Sequence, residues 1–422
     1  MSYLVNTLGF GLVGMLALGM LIAGVDPAFC GEPKGAFSPV VQELSRRGEK
    51  ARPVEADAII SGFVEENRDE FPLIEDSLVT FAYHGRVAVR ANVPSDLNRW
   101  DTKAHQMLRL GETDLHYLTL ALPLDARIDY KFYVDGLWML DPLNSKTVRG
   151  GFGDNSAFSM PAYRSPREIQ FADSIAHGTI EAHEFESRII IGSRKIQVYL
   201  PHEYRPLRHR TVVDPMGGRS QVIKDEFGGT YPVIFVQDGG EYITLASMVN
   251  VLDNIIDQGR IPPVVAVFID PVDRNYEYFL NRDYERMMVE EVLPFIRERY
   301  DVGKEPEKAA IMGASLGGAI SVMIAMDHPE AFGKCGSQSG AFEVNDRELI
   351  KRVQSEPRKA VDLYLDCGTF GDLLEENRIM TDALRKKGYN TAYQEFNEGH
   401  SWGNWRAHID DMLVFFWGKG GK

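Results

Sequence analysis

Residues 311–320 read IMGASLGGAI, and a serine stands there with a glycine two positions before it and another two positions after it. The apolar run AAIM ends inside this segment, and small residues with helical spacing follow it. A serine on a sharp turn between a strand and a helix presents its hydroxyl group, and Gly313 and Gly317 omit the side chains that would crowd it. The pattern predicts that Ser315 is a nucleophile. The alternative is a structural, glycine-rich corner.

A serine hydroxyl needs a base to accept its proton, and three histidines follow Ser315. His328 belongs to the helix that starts at the serine and would lie roughly 20 Å along it, at about 1.5 Å per residue. His408 falls in the last helical pattern, RAHIDDMLVFFW, where a packing or solvated histidine is expected. His400 follows the last predicted strand in the loop NEGHSWGNW, at the sheet edge where the serine emerges. We therefore expect His400 to be the base.

An acid should orient this histidine and stabilise its charged form. Asp372 lies in TFGDLLEENR, just past the predicted strand VDLYLDCG, whereas Asp366 lies within that strand and Glu375 and Glu376 lie in the next helix. The chain order Ser315, Asp372, His400 is that of α/β-hydrolases. Asp372 is the predicted acid.

An oxyanion hole needs two backbone N–H groups. One belongs to Leu316, directly after the serine. The second is expected from the turn DGGEY after the strand YPVIFVQD, where Gly240 is the predicted donor. A tight glycine turn without a ligand is the alternative for this second piece.

Loops predicted at the same edge are rich in aromatic residues and contain two arginines. Such a cluster suits a sugar face, an aromatic acyl group or an anionic catecholate, although each residue taken singly could serve packing alone. The predicted substrate-binding residues are Tyr242, Arg274, Tyr276, Arg282, Trp402 and Trp405.

The chain divides by pattern into several parts. Residues 31–71 form a charged arm with helical spacing, and residues 72–163 contain short alternating strands separated by turns, as in a small β-sandwich. A linker, residues 164–175, leads to residues 176–418, where strands alternate with helices. The predicted fold class is α/β: an α/β-hydrolase fold, with a mostly parallel sheet covered by helices on both faces, after a small Ig-like β-sandwich.

Composition limits the partners. The 46 Lys and Arg against 61 Asp and Glu give a net charge of −15, which argues against nucleic acid as a general partner. Cys335 and Cys367 are expected at opposite ends of neighbouring strands, too far apart for a disulfide, and thus as buried thiols. No metal-type Cys and His spacing occurs, so no metal and no cofactor is predicted.

The N-terminus carries a long apolar segment. Residues 8–25, LGFGLVGMLALGMLIAGV, contain only apolar residues and glycine, and PAFCG follows shortly after. Residues 1–30 are predicted to be a signal peptide or an N-terminal membrane anchor. The protein is then exported to the periplasm or the extracellular space, with membrane anchoring as an alternative to cleavage.

Residues 72–163 resemble early-set, immunoglobulin-like modules related to glycogen-binding domains. The resemblance is carried by LNRW, IDYKFYVDGLWMLDPLN and GFGDNSAFSMP. In carbohydrate-binding members exposed aromatic residues stack on sugars, and Trp100 and Trp138 would be the candidates here. Packing of this module on the catalytic domain, with both tryptophans half-buried, is the alternative.

Residues 176–418 resemble the enterochelin-esterase branch of the putative-esterase family, through VIFVQDGGEY, IPPVVAVFIDPVDRNYEY, the Ser315 segment and EGHSW. The resemblance implies a serine carboxylesterase acting on a siderophore-type ester, whereas the β-sandwich module and the predicted export signal favour an acylated carbohydrate as the substrate. An acyltransferase to a sugar hydroxyl and a non-catalytic carbohydrate-binding protein remain alternatives. The segment RPLRHRTVVDPMGGRSQVIKDEFGGT is longer than the family's usual hairpin, and we expect it to be a surface or homo-oligomer contact.

Overall fold

The computed structural model describes residues 39–49, 53–205, 210–212, 221–223, 230–371 and 373–418. The predicted export segment, most of the long hairpin segment and the predicted acid Asp372 lie outside the described residues. Within the described ranges, no helix is long and apolar enough to cross a membrane.

The described residues of the N-terminal part form two α-helices and ten strands, with a short 3₁₀ helix at Asp96–Asn98. The helices are α1 (Pro39–Glu49) and α2 (Pro53–Glu66). The strands are β1 (Leu73–Glu75), β2 (Leu78–His84), β3 (Ala91–Asn92), β4 (Leu108–Arg109), β5 (Leu115–Ala121), β6 (Arg127–Tyr130), β7 (Phe132–Val134), β8 (Leu137–Met139), β9 (Thr147–Gly150) and β10 (Gly153–Ser159).

These strands form three small sheets, ordered β1-β2-β5-β4, β6-β10-β9 and β3-β7-β8. Alternate residues of β2 face different layers because successive side chains of a strand point to opposite faces. Phe81 packs with Tyr130 and Phe158 in the core between the sheets, whereas Ala82 packs in the cluster formed with the two helices. The helices therefore cover the outer face of the four-stranded sheet.

The C-terminal part is an α/β unit. Its strands are β11 (Thr179–Glu186), β12 (Ser193–Leu200), β13 (Arg210–Val212), β14 (Gln221–Ile223), β15 (Val233–Gln237), β16 (Val265–Ile269), β17 (Ala309–Ala314), β18 (Lys334–Gln338), β19 (Asp362–Gly368) and β20 (Thr391–Phe396). Its helices are α3 (Gly239–Thr244), α4 (Met248–Asp257), α5 (Arg274–Tyr278), α6 (Arg282–Met287), α7 (Leu293–Arg299), α8 (Leu316–Asp327), α9 (Val344–Ser355), α10 (Leu374–Lys386), α11 (Trp402–Ala407) and α12 (Ile409–Trp417), with a π-helical turn, Met288–Val292, between α6 and α7.

Eight of these strands form one sheet, ordered β11-β12-β16-β15-β17-β18-β19-β20. The first two pairs are antiparallel and the other five are parallel. The central strand β17 is buried on both faces: Ile311 packs in one helical layer and Met312 in the other. This arrangement confirms the predicted mostly parallel sheet covered on both faces and is that of the α/β-hydrolase fold. The short strands β13 and β14 pair separately.

Two smaller predictions can also be compared with the structure. Cys335 and Cys367 are buried free thiols, as predicted. The last helical pattern is not continuous, because α11 ends at Ala407 and α12 begins at Ile409, with His408 between them. His408 lies against Glu398, its Nε2 2.8 Å from Oε1 of that residue.

Asp366 is the one carboxylate on β19 that lies fully inside the sheet. Its Oδ2 accepts a hydrogen bond of 3.0 Å from Nε2 of Gln338 on the neighbouring strand. Burial raises the pKa of Asp366 from 3.8 to about 7. The folded protein thus holds this proton more tightly than the unfolded chain does.

This pKa predicts how stability changes with pH. A raised folded-state pKa stabilises the fold fully below pH 3.8, and that contribution is lost as the pH rises through about 7. Relative to Asp366→Asn, the wild-type chain should therefore lose up to about 4 kcal/mol of unfolding free energy between these pH values. Urea denaturation of both proteins across the range measures the difference. The control is Asp362→Asn on the same strand, whose side chain is 40% exposed and should show a much smaller change. A pH-independent difference between wild type and Asp366→Asn would contradict the prediction.

Candidate active site

The strand, turn and helix predicted around Ser315 are present. Strand β17 ends at Ala314 and helix α8 begins at Leu316, so the serine alone forms the turn. Its backbone has φ 58° and ψ −123°, a conformation that residues other than glycine rarely adopt. Strained backbone of this kind persists only where the surrounding structure enforces it, and it is concentrated at functional sites.

Close packing explains the glycine before the turn. A Cβ atom built on Gly313 would lie 2.5 Å from the carbonyl carbon of Gly317, far inside contact distance. The strand and the first turn of the helix thus touch through their backbones, and only glycine fits at this position.

The turn is fixed by the last residue of the neighbouring strand β18 and by the segment that follows it. The N–H group of Ser315 donates to the carbonyl oxygen of Gln338 at 2.9 Å, and the carbonyl oxygen of Ser315 accepts from the N–H group of Ala341 at 3.0 Å. The N–H group of Leu316 lies in the first turn of α8, where the helix supplies no acceptor. This geometry is compatible with the predicted oxyanion role of Leu316.

His400 lies in the loop between β20, which ends at Phe396, and α11. Its ring packs edge to face on Trp405 at a centroid distance of 5.0 Å. Nε1 of Trp405 donates to Oγ of Ser339 at 3.1 Å, in the same segment that fixes the Ser315 turn. The structure therefore brings the predicted nucleophile and the predicted base to one edge of the sheet.

The predicted acid, Asp372, is not among the described residues, but its neighbour is. A Cβ atom on Gly371 would lie 3.7 Å from the Cβ atom of His400. The loop after β19 thus reaches the histidine, and the role of Asp372 stays a prediction.

Three of the predicted substrate-binding aromatic residues are packing residues instead. Tyr242 is fully buried, and its hydroxyl group donates to Oε1 of Gln338 at 2.9 Å. Trp402 and Trp405 are each only 6% exposed, and their rings pack edge to face at 4.9 Å. Aromatic residues in a loop sequence do not reveal which way they face, and here they support the His400 loop from inside. Tyr276, on α5, is 60% exposed, and its substrate contact stays a prediction.

Both predicted arginines are already paired with carboxylates of the chain. Arg274 binds the buried carboxylate of Asp238 through two hydrogen bonds of 2.8 and 2.9 Å. Arg282 pairs with Glu285 and with Asp327, the last residue of α8. Because α8 starts beside Ser315 and has 12 residues, this end is roughly 18 Å away at about 1.5 Å per residue. Arg282 therefore lies far from the serine, and Arg274 has a structural role.

The N–H group of Gly240, the predicted second oxyanion donor, already has an acceptor in this structure. That group donates to Oδ1 of Asp270 at 2.6 Å. Asp270 follows the neighbouring strand β16 and so reaches the same edge of the sheet. A substrate oxyanion would have to displace this carboxylate to use the Gly240 donor.

The sequence analysis did not identify Asp238 and Asp270 as residues of this edge of the sheet. Asp238 has a left-handed backbone, φ 53° and ψ 43°, and burial raises the pKa of its carboxyl group while Arg274 opposes the shift. Both aspartates come at the carboxyl ends of parallel strands, which is the signal that could have identified them.

A hairpin of the N-terminal part also reaches this edge. A Cβ atom on Gly151, in the turn between β9 and β10, would lie 3.5 Å from Oε1 of Glu241 and from Nε1 of Trp402. The next residue, Phe152, is fully exposed. Trp138, by contrast, is half exposed and packs on Tyr133, and carbohydrate binding by Trp138 or Trp100 stays a prediction.

Comparison with known proteins gives one family. The family model described as "Esterase: Putative esterase" matches residues 187–416, more than half of the chain. The chain is 27% identical to the iron(III) enterobactin esterase of Escherichia coli (strain K12) over 198 residues, 44% of this chain and 50% of that protein. It is 24% identical to an endo-1,4-beta-xylanase/feruloyl esterase of Xylanibacter ruminicola over 307 residues, 69% of this chain and 38% of that protein.

Among solved structures, the ferric enterobactin esterase of Salmonella typhimurium matches with a TM-score of 0.66 at 20% identity, over 82% of this chain and 95% of that chain. At this identity the likeness concerns the fold, and it includes the N-terminal part. The extent of the family match, together with the α/β fold, shows that this chain belongs to the putative esterase family.

Proposed function

We propose that the chain is a serine carboxylic ester hydrolase that works through an acyl-enzyme. The observation that carries the proposal is the backbone of Ser315, with φ 58° and ψ −123° at the end of the central strand β17. A serine in this strained turn, at the edge that also carries His400, fits nucleophilic catalysis better than packing. Membership of an esterase family supports the same reaction class.

The reaction begins when Oγ of Ser315 attacks the ester carbonyl carbon and His400 takes the hydroxyl proton. The tetrahedral intermediate collapses, His400 gives the proton to the departing alkoxide, and the alcohol leaves. Water then attacks the acyl-enzyme with His400 as base, which releases the carboxylic acid and restores the serine. Asp372 orients His400 and stabilises the imidazolium.

The N–H group of Leu316 donates to the oxyanion that forms in each step. Gly240 is the second donor in this proposal, on the condition that the oxyanion displaces the Asp270 carboxylate from it. Competition between the two anions makes this donor more costly to use than a free one, because the Asp270 hydrogen bond is broken first.

We propose that the acyl part of the substrate carries a phenolic ring. Exposed aromatic residues support this: Phe152 is fully exposed on the hairpin next to Trp402, and Tyr276 and Phe279 are 60% and 51% exposed on and after α5. The two curated relatives are named for enterobactin and feruloyl esters, both of which carry phenolic rings.

Charge favours an uncharged phenolic ester over an iron complex. Arg274 is paired with Asp238, and Glu241 and Asp270 add carboxylates near the Gly240 turn. A polyanionic ferric catecholate would meet these carboxylates, and the charge of Arg274 at the same edge is already balanced by Asp238. We also assign the N-terminal β unit to the early-set Ig-like class on its sequence resemblance.

Substitution of the predicted triad tests the mechanism. Ser315→Ala should lower kcat on the order of 10⁶-fold, and Asp372→Asn roughly 10²- to 10⁴-fold, because an amide cannot stabilise the imidazolium. The double variant should be no slower than Ser315→Ala, since a triad acts as a unit. Steady-state kinetics with an aryl ester measures all three. Asp366→Asn is the control and should keep a near-normal kcat. A near-normal Asp372→Asn beside a folded but inactive Asp366→Asn would instead make Asp366 the acid.

Phe152→Ala tests the substrate class. With a feruloyl sugar the variant should raise KM about three- to tenfold, because it loses an aromatic contact worth about 1 kcal/mol. With an acetylated xylo-oligosaccharide KM should not change. Comparison of kcat/KM on these two esters and on a catecholate trilactone, with and without iron, ranks the substrate classes.

The matched control is Phe171→Ala. Phe171 is 61% exposed and stacks on His177, whose ring contacts Asp253 on α4. The hydroxyl group of Tyr199 donates to the same Asp253, and Tyr199 pairs with Ala266 near the start of β16, at the sheet edge opposite Ser315. Equal effects of Phe152→Ala on feruloyl and acetyl esters, or effects no larger than those of Phe171→Ala, would refute the phenolic contact.

A further inference from the structure

The His400 loop and the first turn of α11 touch the N-terminal β unit at two glycines, Gly399 and Gly403. A Cβ atom on Gly399 would lie 2.1 Å from Cγ of Asp96, and one on Gly403 would lie 1.7 Å from Nη1 of Arg127. Both distances are far below the 3.0 Å that real Cβ atoms keep from their neighbours. The glycines on either side of His400 are therefore the places where two polar side chains of the other unit fit.

Hydrogen bonds join the same two surfaces. The N–H group of Arg127 donates to the carbonyl oxygen of Asn397 at 3.0 Å. Nδ2 of Asn397 donates to Oδ1 of Asp125 at 2.8 Å. The start of the His400 loop is thus attached to the N-terminal unit through both its backbone and a side chain.

The contact is polar and buried. Asp96, Arg127 and Asp129 are 3%, 5% and 2% exposed, and Glu398 of the His400 loop is 2% exposed. Nη2 of Arg127 donates to Oδ1 of Asp129 at 2.8 Å, and the N–H group of Asp129 donates to Oδ2 of Asp96 at 2.9 Å. Arg127 also interacts electrostatically with Glu398. Buried charges are tolerated only when they are paired, so this cluster favours one docked position of the loop.

We propose that Asp96 and Arg127 are positioning residues of the esterase site, which hold the His400 loop against the N-terminal β unit. This inference rests on the proposed role of His400 as the base. A base works only within hydrogen-bond reach of the serine, and a displacement of about 1 Å can cost on the order of 10²-fold in rate. The N-terminal unit is then a part of the active site and not a separate appendage.

A double-mutant cycle tests the contact between Arg127 and Gly403. Gly403→Ala should lower kcat about 10- to 100-fold with KM within about twofold, because the new methyl group displaces either the guanidinium or the loop. Arg127→Met should also lower kcat, since the loop loses its charged support. Gly403→Ala added to Arg127→Met should cost less than about threefold, because the flexible thioether can move away.

Two conservative substitutions of Asp96, compared with each other, give a second test. Burial raises the pKa of Asp96 to about 8, so at neutral pH its carboxyl group is mostly protonated and resembles an amide. Asp96→Asn should keep kcat within about twofold. Asp96→Glu adds a methylene group against Gly399 and should lower kcat at least tenfold. The matched control is Asp141→Asn: Asp141 is 3% exposed, accepts from Tyr130 inside the N-terminal core, and should affect the melting temperature but not kcat.

Activity, melting temperature and active-site titration of the folded fraction separate the outcomes. An inactive wild-type chain refutes the proposed function itself. An active wild-type chain in which Gly403→Ala and Arg127→Met lower kcat additively, or lower stability alone, refutes the positioning role. If Gly403→Ala does not fold, the Asp96 pair decides: a folded Asp96→Glu with the kcat of wild type overturns the inference.

Discussion

The backbone of Ser315 is the constraint on which the rest of the site depends. With φ 58° and ψ −123°, the chain reverses within one residue, so β17 and α8 meet through the backbones of Gly313 and Gly317. Hydrogen bonds to Gln338 and Ala341 then fix the turn against the next strand. The serine hydroxyl is thereby held at the sheet edge without support from the substrate, which is the preorganisation that nucleophilic catalysis requires.

The histidine side of the site is held by a different kind of packing. Trp405 packs edge to face on His400, and Trp402 packs on Trp405. Gln338 joins this pair to the serine turn, since its Nε2 donates to the carbonyl oxygen of Trp405 at 2.9 Å. On the other side the buried charges of the N-terminal unit face the loop. The loop is packed between the tryptophans on one side and Asp96 and Arg127 on the other, which leaves it little conformational freedom. This close packing explains why Gly399 and Gly403 lie so near the histidine.

The fold, the Ser315 turn and the position of His400 could be predicted from the sequence because the patterns that indicate them are local. The glycines around Ser315 and the alternation of strands and helices define the turn and the fold, and elimination among three histidines selects His400. The side chains around the site could not be predicted in the same way. Tyr242 and Trp405 were predicted from loop sequences, and a loop sequence does not tell whether an aromatic side chain faces the solvent or the core. Their burial is visible only in the folded structure.

The ion-pair partners of the charged residues could not be predicted from the sequence for a related reason. An arginine in a loop near the edge suggests an anion site. Arg274 and Arg282, however, pair with carboxylates 36 and 45 positions away in the sequence, and no local sequence pattern predicts such pairs. Asp96 and Gly399, which lie in contact, are separated by most of the sequence. Long-range pairings of this kind follow from the docking of whole elements, which sequence periodicity does not specify.

The most direct test of the account is covalent labelling of the native protein with a fluorophosphonate, followed by peptide mass spectrometry. The account predicts one adduct, on Ser315, which forms in the folded chain, slows strongly in His400→Ala and disappears on prior denaturation. A folded wild-type chain that gives no adduct on Ser315, or that is labelled at a different serine, would contradict it.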